Sequence, residues 1–139
     1  MSSPTLGEVD AYTVPTLLVE RVARVHAVPL NFADGLLREA KRMLYLCAIT
    51  NQAVAPSTRV DWAWHEMLMF TSFYKDYATF IGSFIDHVPN PPDADVLPET
   101  WEEIQATLGD PRHGSDSYNQ TKENYKKYFG ITPDPLYWP

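Results

Sequence analysis

The sequence predicts an all-α fold, and three observations carry the prediction. Apolar residues recur at three- and four-residue steps over most of the chain. No stretch alternates apolar and polar residues in the manner of a half-buried strand. Pro, Gly and capping residues cut the helical pattern into segments joined by short turns. The expected architecture is one compact helical domain over residues 1–139, a bundle of about five helices. An N-terminal arm (1–15) precedes it, and an extended Pro/aromatic tail (131–139) follows.

The first helix is expected from about Thr16 to His26, carrying Leu17, Leu18, Val22 and Val25 and stopped by Pro29. Asn31 is a candidate cap for the second, which runs to about Asn51. Leu36, Leu37, Ala40, Met43, Leu44 and Cys47 form its apolar stripe, and Arg38, Glu39, Lys41 and Arg42 are expected on the opposite face. Ala55-Pro56-Ser57 breaks the pattern, and Ser57 or Thr58 can cap a third helix. Here Trp64, Leu68 and Thr71 follow one stripe, and Asp61, His65 and Met69 another. Thr71 is a candidate cap for a fresh start, because Phe73, Tyr77, Phe80, Ile81 and Phe84 again keep helical spacing. The sequence leaves open whether Trp62 to Phe84 is one bent helix or two.

A further helix is expected to start at Pro98, with Glu99, Glu102 and Glu103 near its positive end and Trp101, Ile104 and Leu108 buried, and to end at Gly109. The last, from about Ser117, carries Tyr118, Thr121, Tyr125 and Tyr128 and stops at Gly130. The tail is too rich in proline for regular structure and too aromatic to stand in water, so Tyr137 or Trp138 should dock on the body.

Composition narrows the functional classes. An apolar fraction of 45% suits a folded protein rather than a disordered one. A formal charge of −7 argues against a nucleic-acid surface, and the basic run Lys122–Lys127 is interrupted by Glu123, Asn124 and Tyr125. No apolar run approaches the roughly 18 residues of a membrane span, and no basic segment precedes an apolar core at the N-terminus. Cys47, the single cysteine, excludes an intramolecular disulfide; it lies on the apolar stripe as an inert thiol. A reducing, cytoplasmic setting follows, or a virion if the chain serves a viral particle.

Candidate chemistry concentrates between Pro56 and Pro89. Asp61 and His65 stand four residues apart, on one face of a helix, and His87 follows one aromatic helix later. Imidazole nitrogen and carboxylate oxygen are donors for zinc or another divalent metal, so Asp61, His65 and His87 are candidate ligands. Tyr74 would share their side if the helix were continuous, as a further ligand or hydrogen-bond partner. The bland alternative is a local Asp61–His65 pair, or a buried polar network that fixes helix packing. An acid–base dyad would use the same two residues, but no nucleophile signature and no phosphate-binding glycine loop accompany them. No catalytic residue is therefore assigned. His26 and His113, with no polar constellation nearby in sequence, are expected at the surface. The aromatic content of 13% and the acidic balance suit packing against protein partners, as a homo-oligomer or in a larger assembly.

The pattern Pro56-Ser57…Val60-Asp61-Trp62-Ala63-Trp64-His65…Thr71-Ser72-Phe73-Tyr74…Phe84-Ile85-Asp86-His87-Val88-Pro89 resembles the glycine-rich domain-containing-protein-like family. Its members are helical modules in plant glycine-rich domain proteins and in small bacterial and viral reading frames. Tyr125-Lys126-Lys127-Tyr128-Phe129-Gly130…Pro133 and Trp138 resemble the family's C-terminal pattern. The resemblance covers the chain from about Leu36 onward and implies no defined enzymatic activity. It implies that Asp61, His65, Tyr74 and His87 recur together as polar positions. Two departures accompany it: Asp86 stands where the family has the first of two histidines, and the family's cysteine is missing near Ala78. Asp86 would then substitute as an oxygen donor. The implied function is a non-enzymatic interaction or structural module, with a structural metal as an option. A metal-dependent hydrolase using His65 and His87 is the enzymatic alternative, and a subunit of a viral particle the structural one.

Overall fold

A computed structural model describes residues 3–86, 100–106 and 116–139. Among them are seven α-helices and no strand: α1 Leu6–Ala11, α2 Thr16–His26, α3 Leu30–Thr50, α4 Thr58–Met69, α5 Thr71–Ile81, α6 Trp101–Ala106 and α7 Asp116–Phe129. The all-α bundle expected from the periodicity is therefore present. Pro89, Pro98, Gly109 and His113 lie outside the described residues, so the predicted exit, helix start and helix end at those points are not addressed.

The 1–15 arm contains a helix. The Thr5 hydroxyl accepts from the Glu8 backbone N–H at 3.2 Å while the Glu8 carboxylate accepts from the Thr5 N–H at 3.0 Å. This reciprocal capping box satisfies two orphan donors of α1 and lets so short a helix form. Val9, fully buried, then anchors α1 on α3. In α2 the apolar set divides: Leu18 and Val22 are buried, whereas Leu17 and Val25 face solvent.

The 21-residue α3 is the central element and packs against α1, α2, α4 and α7. Its predicted apolar stripe is in the core, from Leu36 through Leu44. The solvated opposite face is not borne out, since Glu39 and Lys41 are 1% and 4% exposed. Helix α3 begins after Pro29 instead of being capped by Asn31.

Ser57 caps α4, its hydroxyl accepting from the Val60 N–H at 3.0 Å. The stretch after Trp62 is two helices. At Phe70 (φ −100°, ψ 69°) the chain leaves helical geometry, and Phe70 rather than Thr71 occupies the junction. Helix α5 ends at Gly82, whose φ of 82° is in the left-handed region where a Cβ is strained.

The tail docks as expected. Trp138 is 2% exposed, and Tyr137 stacks on Phe32 at a centroid separation of 5.3 Å. Hydrogen bonds hold it, among them Ser57 hydroxyl to Tyr137 carbonyl at 2.6 Å, Arg59 to Leu136 carbonyl at 2.9 Å, Tyr118 hydroxyl to Pro139 carbonyl at 2.8 Å, and Trp138 indole to Glu39 at 2.9 Å. Gly35 makes room for it, because a Cβ there would lie 2.0 Å from the Tyr137 hydroxyl oxygen.

Candidate functional site

The predicted polar constellation divides between two environments. Asp61 and His65 do meet, with Nε2 to Oδ2 at 3.5 Å, on a solvent-facing stripe of α4 that continues to Met69. Their side chains are 33% and 53% exposed. Tyr74 does not belong to that stripe. The break at Phe70 turns α5 away, and the Tyr74 hydroxyl sits in the core, accepting the Trp64 indole N–H at 3.1 Å and donating to the Ile85 carbonyl. Burial pushes the Tyr74 phenol up, against the Trp64 hydrogen bond, and the charge of Asp86 adds to the shift. Asp86 itself is exposed. Tyr74 is thus a strut between α4, α5 and the segment leaving α5. His87 lies outside the described residues, among which no group of three or more His, Cys, Asp or Glu is arranged to hold a metal ion.

His26, expected at the surface, stacks instead on Trp62 with ring centroids 4.6 Å apart and planes within 9°. Its Nε2 is buried and has no hydrogen-bond partner among the described residues. Burial holds this imidazole below its ordinary range; Glu66 opposes that effect and His65 adds to it. Glu66 in turn is paired with Arg21, joining α2 to α4.

A buried ionic network occupies the face of α3 expected to be solvated. Glu39 accepts the Tyr125 hydroxyl at 2.6 Å and the Trp138 indole at 2.9 Å on Oε1, and Arg38 at 3.1 Å and Arg42 at 3.4 Å on Oε2. Arg42 grips Asp10 of α1 with two parallel bonds of 2.8 and 2.7 Å and reaches the Tyr125 hydroxyl at 2.7 Å. The Asp10 bonds, foremost, hold the Arg42 guanidinium charged even against burial. Lys41 donates to the carbonyls of Asp10 and Tyr12 at 3.2 and 2.7 Å. These groups satisfy one another and tie α1, α3, α7 and the tail together. Cys47 is half-buried with its thiol pushed up by burial, in keeping with an inert residue.

A concavity that no sequence motif indicated lies between α1 and α5. A groove of about 960 Å³ is lined by Tyr12, Pro15, Phe70, Phe73 and Phe80, with Glu8 on one wall and Asp76 on the other. Tyr12 lies 4.7 Å from Phe80 and 6.1 Å from Phe73 between centroids, at 35° and 54°. Phe73, Asp76 and Phe80 share one face of α5 by their three- and four-residue steps. Burial, and secondarily the charge of Asp76, raise the Tyr12 phenol. The helical spacing of Phe73 and Phe80 was legible, but it reads equally as core; only the position of α1 makes it a groove.

No family model matches the chain, and no curated protein and no solved structure matches it either. The class defined by fold and site is an all-α bundle with a docked C-terminal tail, a buried ionic centre and an aromatic groove. No helix among the described residues is long and apolar enough to cross a membrane.

Proposed function

We propose that this chain is a non-enzymatic interaction module that receives a protein partner in the groove between α1 and α5. The single observation behind this reading is that Tyr12, Phe73 and Phe80 remain half-exposed around one concavity instead of closing into the core. Half-exposed rings converging on a groove are the usual anchors of protein recognition, because they bury large apolar area with few rotors. The apolar surface extends past Phe70 to Leu17 and Met69, which are 70% and 66% exposed. Of the polar residues singled out in the sequence, Tyr74 serves as a strut in the core. The resemblance to the glycine-rich domain-containing-protein-like family supports the same class of role without adding a reaction.

The test is selection from a random peptide library on the full chain. Enriched peptides should bind the wild type and lose at least about tenfold in affinity to Phe80→Ser, the loss expected for an anchor ring. Enriched peptides that bind both proteins equally would refute the groove as the docking surface. Light scattering of the purified chain checks the alternative of a self-assembling subunit; a monomer at micromolar concentration is expected.

A further inference from the structure

The charge around the groove identifies what it receives. Its two charged lining residues, Glu8 of α1 and Asp76 of α5, are both acidic and both exposed. Among the described residues no Lys or Arg lines it. The rings of Tyr12, Phe73 and Phe80 line the same groove, with Tyr12 tilted against each phenylalanine. Ring faces carry negative electrostatic potential, so rings and carboxylates attract the same ligand, a cation carried on an apolar stem. The whole chain reinforces this preference, with a formal charge of −7. An anionic segment would meet two carboxylates, against which the groove sets only the uncharged hydroxyls of Thr13, Thr71 and Ser72 and the first turn of α5. An uncharged apolar segment would gain from the rings but not from Glu8 and Asp76.

We infer that the groove is a receptor for a lysine or arginine side chain of a partner protein, its aliphatic stem lying on Phe73 and Phe80 and its cationic head beside Asp76 and Glu8. This rests on the groove being the docking surface and adds the chemistry of its ligand. The carboxylate most open to test is Asp76, because Glu8 also serves the α1 capping box and its loss would disturb the helix. Asp76 is exposed in the middle of α5, so its conversion to asparagine leaves the fold intact.

Three capped tripeptides with alanine at both ends and lysine, arginine or norleucine at the centre make the comparison. Norleucine keeps the stem of lysine and removes its charge. Each is titrated into the isotopically labelled full chain, following the aromatic resonances of Tyr12, Phe73 and Phe80. The lysine and arginine peptides should shift these resonances saturably and bind at least about 5-fold more tightly than the norleucine peptide. Asp76→Asn should weaken the cationic peptides by about 2- to 5-fold without affecting norleucine, and added salt should do the same. Asp76→Lys should abolish the preference for a cation. Equal binding of norleucine and lysine would overturn the cationic ligand and leave the groove as an apolar docking surface. No shift at the three rings by any peptide would overturn the inference, and library selection would then decide separately whether the groove docks anything. Library peptides that depend on Phe80 but lack basic residues would also overturn it.

Discussion

Replacing Gly35 by alanine sets two physical rules against each other. In an exposed helix interior, alanine is favoured over glycine by roughly 1 kcal/mol, because it restricts the unfolded backbone and adds no side-chain entropy. Gly35 lies well inside α3 with no positive φ requirement, so local propensity alone predicts stabilisation. The tail reverses the sign. An added Cβ would stand 2.0, 2.5 and 2.8 Å from the hydroxyl oxygen, Cζ and Cε1 of Tyr137, well inside van der Waals contact. That ring is rigid, stacked on Phe32 and covered by the Arg38 guanidinium at 5.4 Å, so no rotor relieves the clash. Either the core absorbs an overpacking strain of about 1–3 kcal/mol, or the Tyr137 ring leaves its slot at a cost of about 2–3 kcal/mol. Subtracting the propensity gain leaves a net loss of up to about 2 kcal/mol, or up to about 8 °C in Tm for a domain of this size. Thermal unfolding followed by near-ultraviolet circular dichroism measures it. The emission of Trp138, next in sequence, should shift to the red if the ring is expelled. In a Tyr137→Ala background the clash is gone, and Gly35→Ala should then be neutral or stabilising by up to about 1 kcal/mol. A Gly35→Ala protein that melts at or above the wild type, with its tail still docked, would refute the account of α3 and the tail.

Glu39→Gln removes the charge that two arginines, a phenol and an indole converge on, and should cost about 3 kcal/mol by urea denaturation, as losing one partner of a buried pair does. Ser57→Ala deletes both the cap of α4 and the bond to the Tyr137 carbonyl; roughly 2–3 kcal/mol is expected from the same measurement. For His26, burial lowers the folded pKa below the ordinary value of about 6.5, so between the two values the unfolded chain binds more protons. This contribution is fully present above about pH 6.5 and is lost as the pH falls through the lowered value. Tm should accordingly drop faster for the wild type than for His26→Phe between about pH 7 and 5, and parallel curves would contradict the buried neutral imidazole. His65→Ala should change stability by less than about 0.5 kcal/mol, since its pair with Asp61 is solvent-exposed, and chelator treatment should leave Tm unmoved. A chelator-sensitive Tm that is abolished by His65→Ala would restore a metal site there.

Much of the fold could be read directly because helices are local objects. The Leu36-to-Cys47 stripe, the Ser57 cap and the end of α7 before Gly130 follow from spacing and backbone preference within a few residues. The capping box Thr5-x-x-Glu8 was equally legible, and it marks the helix inside the 1–15 segment. The candidate site was less accessible, because it depended on whether α4 and α5 were continuous. One residue out of helical geometry, Phe70, separates Tyr74 from the Asp61–His65 stripe and makes Tyr74 a core strut.

By itself the sequence determined the helical class, most helix positions, the two-residue Asp61–His65 contact and the burial of the aromatic tail. Those properties depend on periodicity and on the cost of leaving rings in water. The tertiary structure alone decided whether the polar face of α3 is wet. Glu39, Lys41 and Arg42 read as a solvated face because only α3 was in view; α1, α7 and the tail cover them with matching donors and acceptors from distant parts of the chain. The groove arose in the same way, with Phe73 and Phe80 left half-open because α1 stops short of covering them. Burial is a property of pairs of elements, and the sequence of one element does not specify what will lie against it.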